Sequence, residues 1–232
     1  MVYQIKISLV GLTGAGKTTL LKAISPNAYL MAESKRTVTN LEAKSWGMTP
    51  DMLINTSMVP NFTHVVLSKK YKLKGDYFIL NDIKKDDIIL MIIDTLGQDI
   101  FYEINKSSIN GSVGIIFVLD SSIPISQQKE NLIAAYKMIK EHFESDIFIS
   151  VILNKQDLWE RMARSMLPSY KGKDVELKKE LDAVIPDFED CHYYVTSALK
   201  NWGVKEAFQD ITKKIMDDLL PEAEMFIADK QR

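Results

Sequence analysis

The sequence predicts an α/β fold built on a doubly wound, mostly parallel sheet of six strands, and three observations predict it. Four short apolar runs, Ile5–Val10, Ile88–Asp94, Val113–Leu119 and Ile147–Leu153, are rich in Ile and Val and almost free of internal polar residues. Strands look like this when helices cover both faces of a parallel sheet. Between them lie stretches with an apolar stripe at helical spacing, and a glycine-rich turn joins the first run to the first of these stretches. Such alternation implies right-handed crossovers in a single layered domain.

The first run, Ile5–Val10, is followed by Lys17–Ile24, a helix that stops at Ser25-Pro26. Residues 40–87 fit the alternation less well. They hold Pro50, Pro60 and a basic stretch, Lys69-Lys70-Tyr71-Lys72-Leu73-Lys74, that reads as a half-exposed strand. Tyr77–Ile83 and Ile88–Asp94, separated by Lys84-Lys85-Asp86-Asp87, read as an antiparallel hairpin. The region is therefore expected to be an insertion within one domain spanning 1–232. Ile125–Phe143 is a helix with Leu132, Ala135, Tyr136, Ile139 and Phe143 on one stripe, and Val204–Leu220 repeats the pattern with Phe208, Ile211, Ile215 and Leu219. A weaker strand, Tyr193–Thr196, precedes that last helix.

Composition narrows the class. The chain has 232 residues, 46% hydrophobic and 26% charged, with a formal net charge of -2, which makes no electrostatic case for nucleic acid as a partner. The lone Cys191 rules out an intramolecular disulfide and fits a reducing compartment. No apolar run is long enough for a membrane span or a signal peptide; Val2 excludes myristoylation and the last residues offer no cysteine to prenylate. A cytoplasmic protein that meets membranes only through a partner is the expectation.

Gly11-Leu12-Thr13-Gly14-Ala15-Gly16-Lys17-Thr18-Thr19 satisfies G-x-x-x-x-G-K-[ST] between a strand and a helix, where a phosphate loop belongs. Gly11, Gly14 and Gly16 let the backbone curl so that N–H groups converge on phosphate oxygens, beside the positive end of the helix. Lys17 would bridge the β- and γ-phosphates and Thr18 would ligate Mg²⁺. Thr13 and Ala15 complete the cradle, and Thr19 follows it.

The base is read elsewhere. Asn154-Lys155-Gln156-Asp157 follows the run Ile147–Leu153. A carboxylate at Asp157 accepts from both N1–H and the 2-amino group of guanine, a donor pair that adenine lacks. Lys155 would lay its stem over the purine and Asn154 would tie the segment to the phosphate loop. Thr196-Ser197-Ala198-Leu199 follows the next strand and is placed to offer a backbone N–H to guanine O6. Asp94-Thr95-Leu96-Gly97-Gln98 closes another apolar strand. Asp94 would hold a Mg²⁺-bound water, Gly97 would bring its N–H to the γ-phosphate, and Gln98 would orient the attacking water.

The set G-x4-G-K-T, D-x-x-G-Q, N-K-x-D and T-S-A, in that order, resembles the small GTPases of the Ras superfamily. Within it, Gly11-Leu12, Gly97-Gln98-Asp99, Val118-Leu119-Asp120-Ser121 and Asn154-Lys155-Gln156-Asp157-Leu158 look nearest to Arf-like and Rag-like members. The resemblance implies a P-loop G domain that binds GTP and GDP with Mg²⁺, hydrolyses GTP slowly, and meets an effector, an exchange factor and an activating protein. It also implies a first-switch threonine that ligates Mg²⁺. Thr37 is the expected residue, with Thr39 next and Thr63 if the insertion precedes the switch.

Two departures stand out. Lys17 and Asp94 lie 77 positions apart, where the resemblance implies roughly half that, so extra residues sit in or beside the first switch. The lipid signals of trafficking members are missing, which keeps open a nucleotide-dependent scaffold or heterodimer subunit that scarcely hydrolyses GTP. A third reading, an ATP-using P-loop enzyme, conflicts with Asp157. Arg36 is a weak cis candidate for an arginine finger. Phe101 and Tyr102 are partner-facing aromatics or core, whereas Trp159, Met162 and Met166 read as core. His64, His142 and His192 show no metal-ligand spacing, and Asn55-Thr56-Ser57 is a glycosylation sequon without meaning inside a cell.

Overall fold

The computed structural model describes residues 3–26, 33–37, 53–57, 60–96, 102–143, 147–158, 173–188 and 191–230. Its main sheet has seven strands. Strands β1 (Tyr3–Val10), β6 (Ile88–Asp94), β7 (Gly114–Asp120), β8 (Phe148–Asn154) and β9 (His192–Val195) run parallel, in the order β6-β1-β7-β8-β9. Beyond β6 the sheet turns antiparallel: β4 (Asn61–Leu67) pairs with β6, and β5 (Leu73–Asp76) pairs with β4 and forms the edge. A separate hairpin joins β2 (Glu33–Thr37) to β3 (Leu53–Ser57).

Helices cover both faces, as the unbroken apolar strands require. On one face α1 (Lys17–Ile24) and α5 (Val204–Lys230) pack Leu20, Leu21, Ile24, Phe208, Ile211 and Ile215 against Ile5, Ile7, Leu9, Leu90 and Ile92. On the other face α3 (Ile125–His142) and α4 (Lys173–Val184) bring Leu132, Ile139 and Leu181 to Val10, Ile115, Phe117 and Val151. The short α2 (Tyr102–Ile109) buries Ile109 in that same layer. Strand β7 is buried at all seven positions, as expected of a strand at the centre of the sheet.

Two sequence expectations change. The antiparallel partner of β6 is Asn61–Leu67, with Asn61 opposite Asp94 and Leu67 opposite Ile88; Tyr77–Ile83 is not a strand. Asp76 overrides its apolar pattern, because its carboxylate accepts from the Phe78 N–H at 3.0 Å and its carbonyl from Ile79 and Leu80 at 3.2 Å. That local capture bends the chain at once. The basic stretch also divides: Lys69-Lys70 lie in a turn closed by the Tyr71 N–H on the Ser68 carbonyl at 2.7 Å, and only from Leu73 does the chain join the sheet. This extra strand β5 makes the sheet seven-stranded where six strands are expected. Of the expected insertion at 40–87, residues 40–52 and 58–59 lie outside the described residues.

Candidate nucleotide site

Every parallel strand contributes to one end of the sheet, where strand ends and the loops after them converge. After β1, the loop keeps Gly11, Gly14 and Gly16 at positive φ (155°, 84° and 94°). Two of them have no room for a side chain either. A Cβ at Gly11 would stand 2.2 Å from the Val118 carbonyl oxygen, and one at Gly16 would stand 2.3 Å from Nδ2 of Asn154. The loop therefore lies directly on β7 and on the base motif. Helix α1 starts at Lys17 without a side-chain cap, leaving its first N–H groups to face an anion.

Lys17 is buried, and its ammonium donates to the carbonyls of Gly11 at 2.8 Å and Leu12 at 3.0 Å. Burial pushes its pKa below the usual lysine value, while the charge of Asp94 works in the opposite direction. The Thr18 hydroxyl donates to Oδ2 of Asp94, 76 positions away, and Nδ2 of Asn61 lies 3.4 Å from the same oxygen. One hydroxyl and one carboxylate are thus brought together beside the buried ammonium. Hard oxygen donors in this small number suit Mg²⁺ that takes its remaining ligands from phosphate and water. Among the described residues no group of three or more His, Cys, Asp or Glu could hold a metal by itself. Thr13 is buried as well, and its hydroxyl has no hydrogen-bond partner among the described residues.

Asn154, which ends β8, joins three segments. Its Nδ2 donates to the Ala15 carbonyl at 2.9 Å, and its Oδ1 accepts from the Ala198 N–H at 3.0 Å and the Thr196 hydroxyl at 3.2 Å. Asp157 is buried and accepts from the Ser197 hydroxyl at 2.5 Å. A cavity of about 230 Å³ opens between Gly16 and Thr19 on one side, Lys155 and Asp157 on another, and Ala198 and Leu199 on a third. The loop expected to offer a backbone N–H to guanine O6 is tied into the chain by its first amides. Ser197 N–H goes to the Trp202 carbonyl at 3.1 Å and Ala198 N–H to Asn154, because buried amides are satisfied within the chain.

Some expected residues fall elsewhere. Thr63 is buried mid-strand, paired with Ile92 on β4. Thr37 ends β2 opposite Leu53, and its side chain and that of Arg36 lie outside the described residues. So do Thr39, Gly97, Gln98, Asp99, Phe101, Trp159, Met162 and Met166 entirely, and the side chain of Tyr102. The sequence reading missed three site residues. Asn61 meets Asp94, Asn105 on α2 bonds both the N–H and the carbonyl of Leu96 at 2.8 and 2.7 Å, and Asp120 meets Lys155 at 2.5 Å. A single rule would have found Asp120: like Asp94 and Asn154, it is the polar residue that ends an apolar strand at the ligand end of the sheet.

With this geometry in view, comparison with known proteins is specific. The sequence model of the Ras family matches residues 55–217, which include Asp94, Asn154, Asp157 and Ala198 and begin after the phosphate loop. Ras-related protein YPTC6 of Chlamydomonas reinhardtii is 26% identical over 215 residues, covering 92% of this chain and 76% of its own. Ras-related protein Rab11B of Nicotiana tabacum is 26% identical over 215 residues, covering 92% and 75%. Ras-related protein Rab-10 of Caenorhabditis elegans is 26% identical over 211 residues, covering 91% and 80%.

Proposed function

The chain belongs to the Ras family, and from that premise we propose that it is a guanine-nucleotide switch that hydrolyses GTP slowly. The observation that carries the reading is Asn154, which binds the phosphate loop through Ala15 and the next base loop through Ala198. One buried side chain thereby fixes the distance between a phosphate cradle and a carboxylate, Asp157, able to pair with guanine. Lys155 covers the purine face, and Leu199 closes the cavity beside it.

In this reading Lys17 neutralises the β- and γ-phosphates, and the loop from Gly11 to Thr19 holds them with its N–H groups. Thr18 and Asp94 hold Mg²⁺, with a first-switch hydroxyl from Thr37 as a further ligand. The ion, when bound, neutralises phosphate charge as it develops. Gln98 orients the attacking water and Gly97 contacts the γ-phosphate. Thr63 is the weakest alternative to Thr37, because its place in the middle of β4 ties it to the sheet. Loss of the γ-phosphate would release the segments around Thr37 and Gln98, and an effector would read the change.

The relatives carry Rab-type names, while Gly11-Leu12 and Gly97-Gln98-Asp99 retain Arf-like and Rag-like spelling. We place the chain as a divergent member that combines the two. We locate it in the cytoplasm, with an exchange factor, an activating protein and a membrane-bound partner still to be identified. Among the described residues no helix is long and apolar enough to cross a membrane.

The test is single-turnover hydrolysis of Mg²⁺–GTP beside the Gln98→Leu variant. The reading predicts a wild-type rate on the order of 10⁻⁴ to 10⁻² per second, falling at least tenfold in the variant. Tight GTP binding without turnover in either protein would instead make the chain a nucleotide-dependent scaffold or heterodimer subunit.

A further inference from the structure

The end of β7 carries polar contacts that phosphate binding does not use. Asp120 is buried, and Oδ2 of its carboxylate receives the Lys155 ammonium at 2.5 Å. Oδ1 accepts from the Ser122 N–H at 2.9 Å and the Ser122 hydroxyl at 2.5 Å. The backbone of Asp120 is clamped too. Gln128, buried on α3, accepts from the Asp120 N–H at 3.1 Å and donates to its carbonyl at 2.8 Å. Every polar group of Asp120 therefore has a partner, and the carboxylate can aim in only one direction.

Its target needs holding. Lys155 has φ of 67°, a left-handed conformation that a residue with a side chain adopts only where its surroundings impose it. Its neighbours supply part of that constraint, since Gln156 N–H reaches the Thr196 carbonyl at 3.1 Å and Gln156 Nε2 reaches the Ser121 hydroxyl at 3.0 Å. They fix the backbone of Lys155 but not its four-carbon stem. An ammonium on a flexible stem is otherwise hydrated and mobile; here its two ends are pinned, one by the backbone and one by Asp120. The stem between them forms a wall of the cavity that also contains Asp157.

We propose that Asp120 is a positioning residue for nucleotide retention: its carboxylate, oriented by Gln128, holds Lys155 stretched along the base cavity so that the lysine stem covers the purine. This rests on the guanine reading above and adds a division of labour to it. Asp157 chooses the base by its edge, whereas Asp120 acts through Lys155 on the base's face and so slows escape of any purine the site admits.

The experiment measures release of fluorescent GDP and of the inosine analogue IDP, which lacks the 2-amino group. The proteins are the full chain, Asp120→Asn, Lys155→Met and the double variant. Lys155→Met keeps an apolar stem without the charge, and Asp120→Asn keeps an acceptor for Ser122. Release from Asp120→Asn is expected to quicken on the order of tenfold, the loss of one charge-assisted hydrogen bond. The double variant is expected to release no faster than Lys155→Met, and the GDP-to-IDP ratio to stay at its wild-type value. Gln128→Leu should shift release in the same direction by a smaller factor. Release within twofold of wild type in Asp120→Asn, multiplying effects in the double variant, or a GDP-to-IDP release ratio that rises towards one would each overturn the proposal. The last would mean that the base site had collapsed as a whole. If the wild-type chain does not retain GDP at all, the guanine reading fails first, so the two failures are distinguishable.

Discussion

The ligand end of the parallel strands and the antiparallel edge at β4–β5 hold their polar residues in opposite ways. At the ligand end, buried side chains bond to loops far away in sequence: Thr18 to Asp94, Asn154 to Ala15, Lys155 to Asp120. At the edge, Asp76 serves mainly its own turn, while its carboxylate also accepts from the Ser25 hydroxyl at the end of α1. The turn it holds presents Phe78 and Ile79 to solvent, 71% and 58% exposed. His64 lies among Phe62, Tyr77 and Phe78 at ring distances of 5.8, 6.2 and 5.6 Å, and burial lowers its pKa against the pull of Asp76. The difference teaches where function and stability separate. Substitutions at the ligand end should alter nucleotide handling together with folding, whereas those at the edge should alter folding alone.

The largest expected effect is at Gly11. Gly11→Ala sets a Cβ against the Val118 carbonyl at a backbone angle that disfavours any side chain. A loss of about 2–4 kcal/mol in denaturant unfolding is expected, together with loss of GDP retention. A variant that unfolds like wild type would show that the loop does not lie on β7.

This contrast also explains what the sequence reveals. The parallel strands β1, β6, β7, β8 and β9 and helices α1 and α3 are legible because their apolar runs are unbroken and bounded by turn or polar residues. Ile88–Asp94 and Lys17–Ile24 match the observed elements end to end. The edge is not legible, because Tyr77–Leu80 looks apolar enough for a strand and only the captured N–H groups on Asp76 say otherwise. Asn61 and Asn105 are invisible for a related reason: each acts through a partner that only the fold brings near.

An intermediate effect is expected at Asp76→Ala. It leaves the buried Ser25 hydroxyl and the Phe78 N–H without their acceptor, a cost of about 1–3 kcal/mol. Urea unfolding should show that loss while GDP release stays within twofold of wild type. Release that quickened with the loss of stability would erase the division between the two regions.

The smallest effect concerns Lys74 and Asp87, 2.8 Å apart at the edge. The hydrogen bond from Lys74 holds the Asp87 carboxyl below its ordinary value of 3.8, and the bond to Asp87 raises Lys74 above 10.5. A depressed carboxyl stabilises the fold above its unfolded value and loses that contribution as pH falls through the folded one. A raised lysine stabilises below 10.5 and loses its contribution as pH rises past its folded value. Lys74→Met should therefore lower stability near neutrality and flatten its fall below about pH 4, so that variant and wild type converge in acid. An acid limb identical to wild type would show that the pair contributes nothing.

The most direct test of the central claim, that this end of the sheet reads guanine, is a competition of GTP, ATP and XTP for the wild-type chain and for Asp157→Asn. The account predicts that wild type prefers GTP over both. It predicts that the variant loses GTP preference and gains affinity for XTP, whose C2 carbonyl accepts the hydrogen bond that an amide can now donate. Equal binding of GTP and ATP by wild type, or an unchanged preference in the variant, would contradict it.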